Sequence, residues 1–214
     1  MLKKTVLTFA FLTILTTFYG FNAQFSAPAT DDALNALAEM HHSLLPEGSY
    51  VISAYDNLIR NISEEEGHDW RLMSAIAYHE SRFTPDITSS RGACGLMQIM
   101  PDKAVVDWAK RFRVPVPNKG ALYAPRLNIE IGTWYLGNAL KRWASYKDNL
   151  ALALCEYNAG IKRANAWKPV DRNGDVRERI TISSTLSYVN SILAQYEDYK
   201  KSWQKKHPQK GTIR

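Results

Sequence analysis

The chain has 214 residues, 45% of them hydrophobic and 22% charged, with a formal net charge of +6 at pH 7. That length suits one domain with short extensions, and a core of about 150 residues buries roughly 70% of the surface its unfolded chain exposes. The composition excludes a fibrous or disordered chain and little else.

The N-terminus departs from this average. Lys3 and Lys4 precede an apolar run from Val6 to Phe21, and small residues follow at Ala23, Ala27 and Ala29. A basic start, an apolar middle and small residues make the pattern of a secretory signal peptide. The run is shorter than the ~20 residues that span a bilayer and is diluted by threonines, which argues against a retained anchor. The expected organisation is a signal peptide over 1–23, an extension with a short helix over 24–50, the main domain over 51–199 and a basic tail over 200–214. Cleavage after Ala23 or near Ala29 stays open. Export places the protein in the periplasm or cell envelope. Lys200, Lys201, Lys205, Lys206, Lys210 and Arg214 read first as a solvated terminus and second as a tether to anionic wall polymers. An exported chain without an interleaved basic-aromatic motif does not fit a nucleic-acid partner.

In chain order the elements read as nearly all helix. A first amphipathic helix covers Asp31 to Leu45, and Pro46 and Gly48 end it. A second runs from about Val51 to Glu65, closed by Gly67. Asp69 caps a third, from Trp70 to about Arg82. A polar, glycine-containing stretch from Thr84 to Gly95 follows, then a helix from Lys103 to Phe112. A proline-bearing loop leads to a long helix from Leu127 to Trp143. Another helix begins at Leu150 to Tyr157, and the last spans Thr185 to Trp203. The fold class is all-α, with at most a small hairpin near Cys94. Cys94 and Cys155 are the two cysteines. Export permits a disulfide between them, two buried thiols are the other reading, and neither has a locally placed histidine to make it a nucleophile.

On the third helix Met73, Ile76, Ala77 and Glu80 are spaced i, i+3, i+4, i+7, so the carboxyl of Glu80 lies in line with an apolar stripe. Burial disfavours the charged form and raises a carboxyl pKa, and a carboxyl protonated near neutral pH is what a general acid requires. The plainer reading has Glu80 reaching solvent or pairing with Arg82. Its neighbours decide between the two. His79-Glu80-Ser81-Arg82-Phe83 is followed by Ser89, Ser90, Gly92-Ala93 and Gly95-Leu96-Met97-Gln98-Ile99-Met100-Pro101. Asn128-Ile129, Gly132, Tyr135-Leu136, Tyr157-Asn158-Ala159-Gly160, Arg163, Trp167, Thr185 and Tyr188-Val189 come later in the chain.

In order and spacing these residues resemble the soluble lytic transglycosylase (SLT) domain family, a relative of goose-type lysozyme. The resemblance covers about Val51 to Tyr199. It implies an all-α, lysozyme-like domain that acts on peptidoglycan glycan strands without a metal or cofactor. Glu80 then matches the sole catalytic acid/base. Ser89 and Gln98 match residues that hold the sugar's N-acetyl group, and Met100 matches a groove wall. Tyr157 matches an aromatic hydroxyl beside the carboxyl, with Asn158 in the same groove, and Tyr188 matches a late tyrosine near the site. Met97, Ile99, Leu136 and Val189 read as core.

Ser184 stands where the family usually has a glutamate, and Ile161-Lys162 replace a Pro-Gly pair. The implied reaction is non-hydrolytic cleavage of the MurNAc-β-1,4-GlcNAc bond to a 1,6-anhydromuramoyl product. A muramidase hydrolysing the same bond, with Asp86 or Glu156 as second carboxylate, is one alternative. A catalytically weak binder of peptidoglycan is another. The resemblance is compatible with a secretion or conjugation machine as partner. Asp171, Asn173 and Asp175 only begin like a calcium loop, because Ile182 stands where the closing glutamate belongs.

Overall fold

The computed structural model describes residues 50–208. The N-terminal apolar run, its cleavage site, the helix expected at Asp31 to Leu45, and Lys210 and Arg214 lie outside the described residues. Seven α-helices occur among those described: α1 Asp56–Glu65, α2 Trp70–Ser81, α3 Ala104–Phe112, α4 Pro125–Trp143, α5 Asn149–Ala159, α6 Ile161–Trp167 and α7 Ser183–Lys206. Two 3-10 turns, Lys119–Tyr123 and Arg177–Arg179, join them. None of the described helices is long and apolar enough to cross a membrane.

Helix ends follow local chemistry. The Asp69 carboxylate accepts the Arg71 N–H at 3.0 Å and caps α2 as expected. It also binds the Arg71 guanidinium and the Tyr196 hydroxyl at 2.9 Å, tying the start of α2 to α7. α1 begins at Asp56 rather than near Val51. The Asp56 carboxylate accepts N–H bonds from Ile52 and Ser53 at 2.7 and 2.8 Å, which folds the preceding residues into a turn. α6 was not foreseen. It has seven residues, follows Gly160 at φ +84°, and anchors itself by burying only Ala164 and Trp167.

α2 and α7 run antiparallel, since Glu80 meets Tyr188 at one end and Trp70 meets Trp203 at the other. At that second end the Arg60 guanidinium lies 4.4 Å from the Trp70 ring centre and 4.8 Å from that of Trp203. Tyr50 packs edge-on against both rings. This aromatic clamp carries the last helix through Lys206, so Lys200, Lys201, Lys205 and Lys206 of the expected basic tail are helical. The core between the helices includes Met73, Ile76, Leu96, Ile129, Leu152 and Ile192, all fully buried. Met97, Ile99, Leu136 and Val189 are buried with them, as read from sequence.

The stretch around Cys94 forms no extended strand. Cys94 makes isolated antiparallel bridges to Thr88 and to Ile99, a minimal hairpin of two nested turns. Cys94 and Cys155 are both buried free thiols, and burial pushes the Cys155 thiol up to about 12.

Replacing Asp69 by Ala removes the α2 cap and the Arg71 and Tyr196 contacts together. A loss of about 1–2 kcal/mol is expected, read as a thermal midpoint lowered by roughly 2–8 °C.

Candidate active site

Glu80 lies in the last turn of α2. Met73, Ile76 and Ala77, which share its stripe, are fully buried. Its carboxyl is partly buried, and Tyr188 of α7 donates its hydroxyl to Oε1 at 2.7 Å. Burial raises the Glu80 pKa to about 7, and the Tyr188 hydrogen bond opposes part of that rise. Arg82 takes no part. It sits at φ +54° just past the helix, and its guanidinium stacks over the Tyr78 ring at 4.1 Å. The expectation that Glu80 could pair with Arg82 is therefore set aside by geometry.

Two more tyrosine contacts complete the surroundings. Tyr157, near the end of α5, donates its hydroxyl to the Met97 carbonyl at 2.8 Å. Burial, then the nearby Glu80 and Tyr135, hold the Tyr157 pKa well above the usual phenol range. Tyr188 is raised by burial and by Glu80 in the same way. His79 packs edge-on against Tyr188 with ring centres 4.8 Å apart, and burial lowers its pKa. Burial thus favours the uncharged form of both phenols and of the imidazole.

The turn Gly95-Leu96-Met97-Gln98 is joined to the end of α2 by Ser81, and buried donors and acceptors hold it. Asn128 of α4 is fully buried. Its Oδ1 accepts from Met97 N at 2.7 Å, and its Nδ2 donates to the Cys94 and Leu122 carbonyls at 2.9 and 2.6 Å. The Ser81 hydroxyl reaches the Leu96 carbonyl at 2.8 Å. The Gln98 side-chain amide donates to the Gly95 carbonyl at 2.9 Å, and Gln98 itself sits at φ +50°. Its Oε1 is left as an acceptor. In the preceding turn the Ser89 hydroxyl oxygen accepts from Ala93 N at 3.0 Å and keeps its O–H as a donor.

Asn158 is exposed at the end of α5 and accepts from the buried Thr185 hydroxyl at 2.9 Å. Met100 is partly buried just beyond the turn. Ser184 is exposed on the first turn of α7, beside Thr185 and on the helix that brings Tyr188 to Glu80.

The structure thus joins Glu80 and Tyr188 directly, and links Tyr157, Gln98 and the Met97 carbonyl through one turn. Asn128, Ser81 and Thr185 are supports whose roles sequence reasoning did not assign. The signal for Asn128 was its place in the Asn128-Ile129 pair of the resemblance, which assigned it no role. Glu156 is 4% exposed and bound by the Arg142 guanidinium and by the Trp143 indole N–H at 2.8 Å. Asp86 is exposed. Asp171 and Asp175 are engaged in turns, and Asp175 also binds Arg177 at 3.0 Å.

The fold is all-α and lysozyme-like, and it carries Glu80 in the last turn of α2 with Tyr188 bonded to it. The family model of the transglycosylase SLT domain matches residues 57–180, more than half of the chain, and the chain belongs to that family. It is 35% identical over 152 residues to the soluble lytic murein transglycosylase of Salmonella typhimurium, covering 68% of this chain and 23% of that protein. A putative soluble lytic murein transglycosylase of Haemophilus influenzae is 31% identical over 198 residues, covering 89% and 31%. The solved 70-kDa soluble lytic transglycosylase of Escherichia coli aligns with a TM-score of 0.62 at 31% identity, over 69% of this chain and 24% of that one. An inactive mutant of the lytic transglycosylase Slt from Pseudomonas aeruginosa aligns with a TM-score of 0.63 at 25% identity, over 80% and 30%. The chain therefore spans between 23% and 31% of the length of these relatives.

The turn gives a sharp test of the site's rigidity. A Cβ added at Gly95 would meet Asn128 Nδ2 at 2.3 Å and the Leu122 carbonyl at 2.6 Å, with φ at +76°. Gly92 has φ +84° and open space. Gly95→Ala is expected to cost well over 2 kcal/mol in urea unfolding, and Gly92→Ala only about 1 kcal/mol from backbone strain. Equal costs would contradict the packed turn.

Proposed function

We propose that the chain is a peptidoglycan lytic transglycosylase, cleaving the β-1,4 bond between MurNAc and GlcNAc without water. The observation that carries this reading is Glu80, a carboxyl raised to about 7 by burial and held at one oxygen by Tyr188. Oε2 is then the oxygen that faces the sugar. Protonated Glu80 gives its proton to the glycosidic oxygen as the bond from muramoyl C1 breaks, and the GlcNAc end leaves as an alcohol. The 2-acetamido oxygen supports C1 during departure. The Glu80 carboxylate next takes the proton of the muramoyl C6 hydroxyl as that oxygen bonds to C1. The product is a 1,6-anhydro sugar, and the carboxyl is restored.

The other site residues fit this sequence of steps. The free hydroxyl proton of Ser89 and the Oε1 of Gln98 suit the N-acetyl group, a donor for its carbonyl and an acceptor for its N–H. Met100 and Asn158 line the groove, and Tyr157 fixes the Met97 carbonyl at its wall. A hydrolase of the inverting type needs a second carboxylate roughly 6.5–9.5 Å from the acid to activate water. Glu156 is bound by Arg142 and Trp143, which favours the intramolecular C6 nucleophile. Export through the N-terminal segment would bring the enzyme to its polymer in the periplasm or envelope. A secretion or conjugation machine that must cross the wall is a partner such an activity would serve.

Glu80→Gln is expected to lower the release of fragments from purified sacculi by 100-fold or more, since a positioned general acid contributes about 10²–10⁴. Mass spectrometry of the wild-type products should show anhydro ends. Wild-type activity should fall as pH rises through about 7, where Glu80 loses the proton it must donate. Reducing ends, or a Gln variant as fast as its parent, would sink the reading.

A further inference from the structure

Tyr188 of α7 is held from two directions by consecutive residues of α2. Its hydroxyl bonds Glu80 Oε1 at 2.7 Å, and the ring of His79 packs edge-on against its phenol. The two ring centres stand 4.8 Å apart with planes at 78°. That is the close end of the roughly 4.5–7 Å over which aromatic pairs attract edge to face. No side-chain hydrogen bond ties the imidazole to another described residue, so the contact is one of ring on ring. Burial, then Arg82, lowers the His79 pKa and favours the uncharged ring. The Arg82 guanidinium itself is turned onto Tyr78.

The Tyr188 hydrogen bond acts on Glu80 in two ways. It opposes the rise in pKa that burial imposes, and it occupies Oε1 so that Oε2 is left for the sugar. Both effects depend on where the phenol oxygen stands. The α7 backbone nearby is tied to α5 by Thr185, whose hydroxyl donates to Asn158 Oδ1 at 2.9 Å. A fixed backbone still leaves a side chain its own torsions. The phenol oxygen lies at the far end of that side chain, where a small swing becomes a large displacement. Resting on the assignment of Glu80 as the acid, we infer that His79 is a positioning residue. Its ring holds the Tyr188 phenol at the angle from which it bonds Glu80 Oε1, and it acts on the carboxyl through Tyr188.

Carbon-13 titration of the Glu80 carboxyl in the full chain tests this with a cycle of His79→Ala, Tyr188→Phe and the double variant. The Tyr188 bond lowers the Glu80 pKa, so its loss in Tyr188→Phe should raise the midpoint. The expected rise is about half to one pH unit, the worth of one ordinary hydrogen bond. In the His79→Ala background the same substitution should raise it less than about a third as far, because the bond is already loose. Water admitted by the missing imidazole acts on both members of that comparison alike and cancels. His79→Phe keeps a ring and should restore the full rise, whereas His79→Gln keeps only hydrogen-bonding capacity and should not. Where Ala unfolds the chain, the Phe and Gln variants carry the comparison by themselves. An equal rise in every background, or rescue by Gln and not by Phe, would overturn the inference. Sacculi products without anhydro ends refute the lytic reading alone, since the midpoints are read on the carboxyl itself. Anhydro ends beside uncoupled midpoints refute the role of His79 alone.

Discussion

The structure turns on the contact between one carboxyl and the apolar end of the helix that carries it. A glutamate in water is ionised well below neutral pH, and an ionised group cannot donate a proton. Three buried residues beneath Glu80, and the tyrosine-bearing helix across from it, remove enough water to raise its pKa to about 7, where the two forms are balanced. The Tyr188 hydroxyl works against the shift, and that opposition matters. A carboxyl raised without limit would hold its proton too firmly to give it up, whereas one near 7 can both donate and recover it. The antiparallel packing of α2 on α7 sets both effects, because the same pair of helices supplies the burial and the hydrogen bond.

Around that pair the molecule invests its polar contacts in one short turn. Met97 has its N–H bound by Asn128 and its carbonyl by Tyr157, so its backbone is held on both sides. Leu96 is held by Ser81, the residue directly after Glu80. The turn and Glu80 are thereby fastened to each other through one residue of sequence. Gly132 allows α4 to approach, since a Cβ there would meet Met97 Sδ at 2.6 Å. These supports are buried and point away from solvent, and they determine position rather than chemistry.

Much of this was legible in the sequence, and the division has a physical basis. The apolar spacing of Met73, Ile76 and Ala77 identified the buried face and placed Glu80 on it, because helical periodicity is a local property. The Asp69 cap was legible for the same reason. Roles that need two distant segments were not. Asn128 is 31 residues from the Met97 amide it binds, and nothing in its own neighbourhood announces that partner. The start of α1 moved because a side chain, Asp56, outcompeted the helix for the preceding N–H groups. The short α6 has too few buried positions for a period to show. Glu156 looked in sequence like a second carboxylate, and only the fold brings Arg142 and Trp143 to it.

The account stands on the protonation state of a single side chain. A direct reading comes from carbon-13 NMR of the Glu80 side-chain carboxyl, assigned by comparison with Glu80→Gln and followed through a pH titration of the folded protein. A midpoint near 7 is expected from the burial described above. A midpoint near the ordinary glutamate value of 4.5 would mean that water reaches the carboxyl freely, and would contradict the assignment of Glu80 as the proton donor.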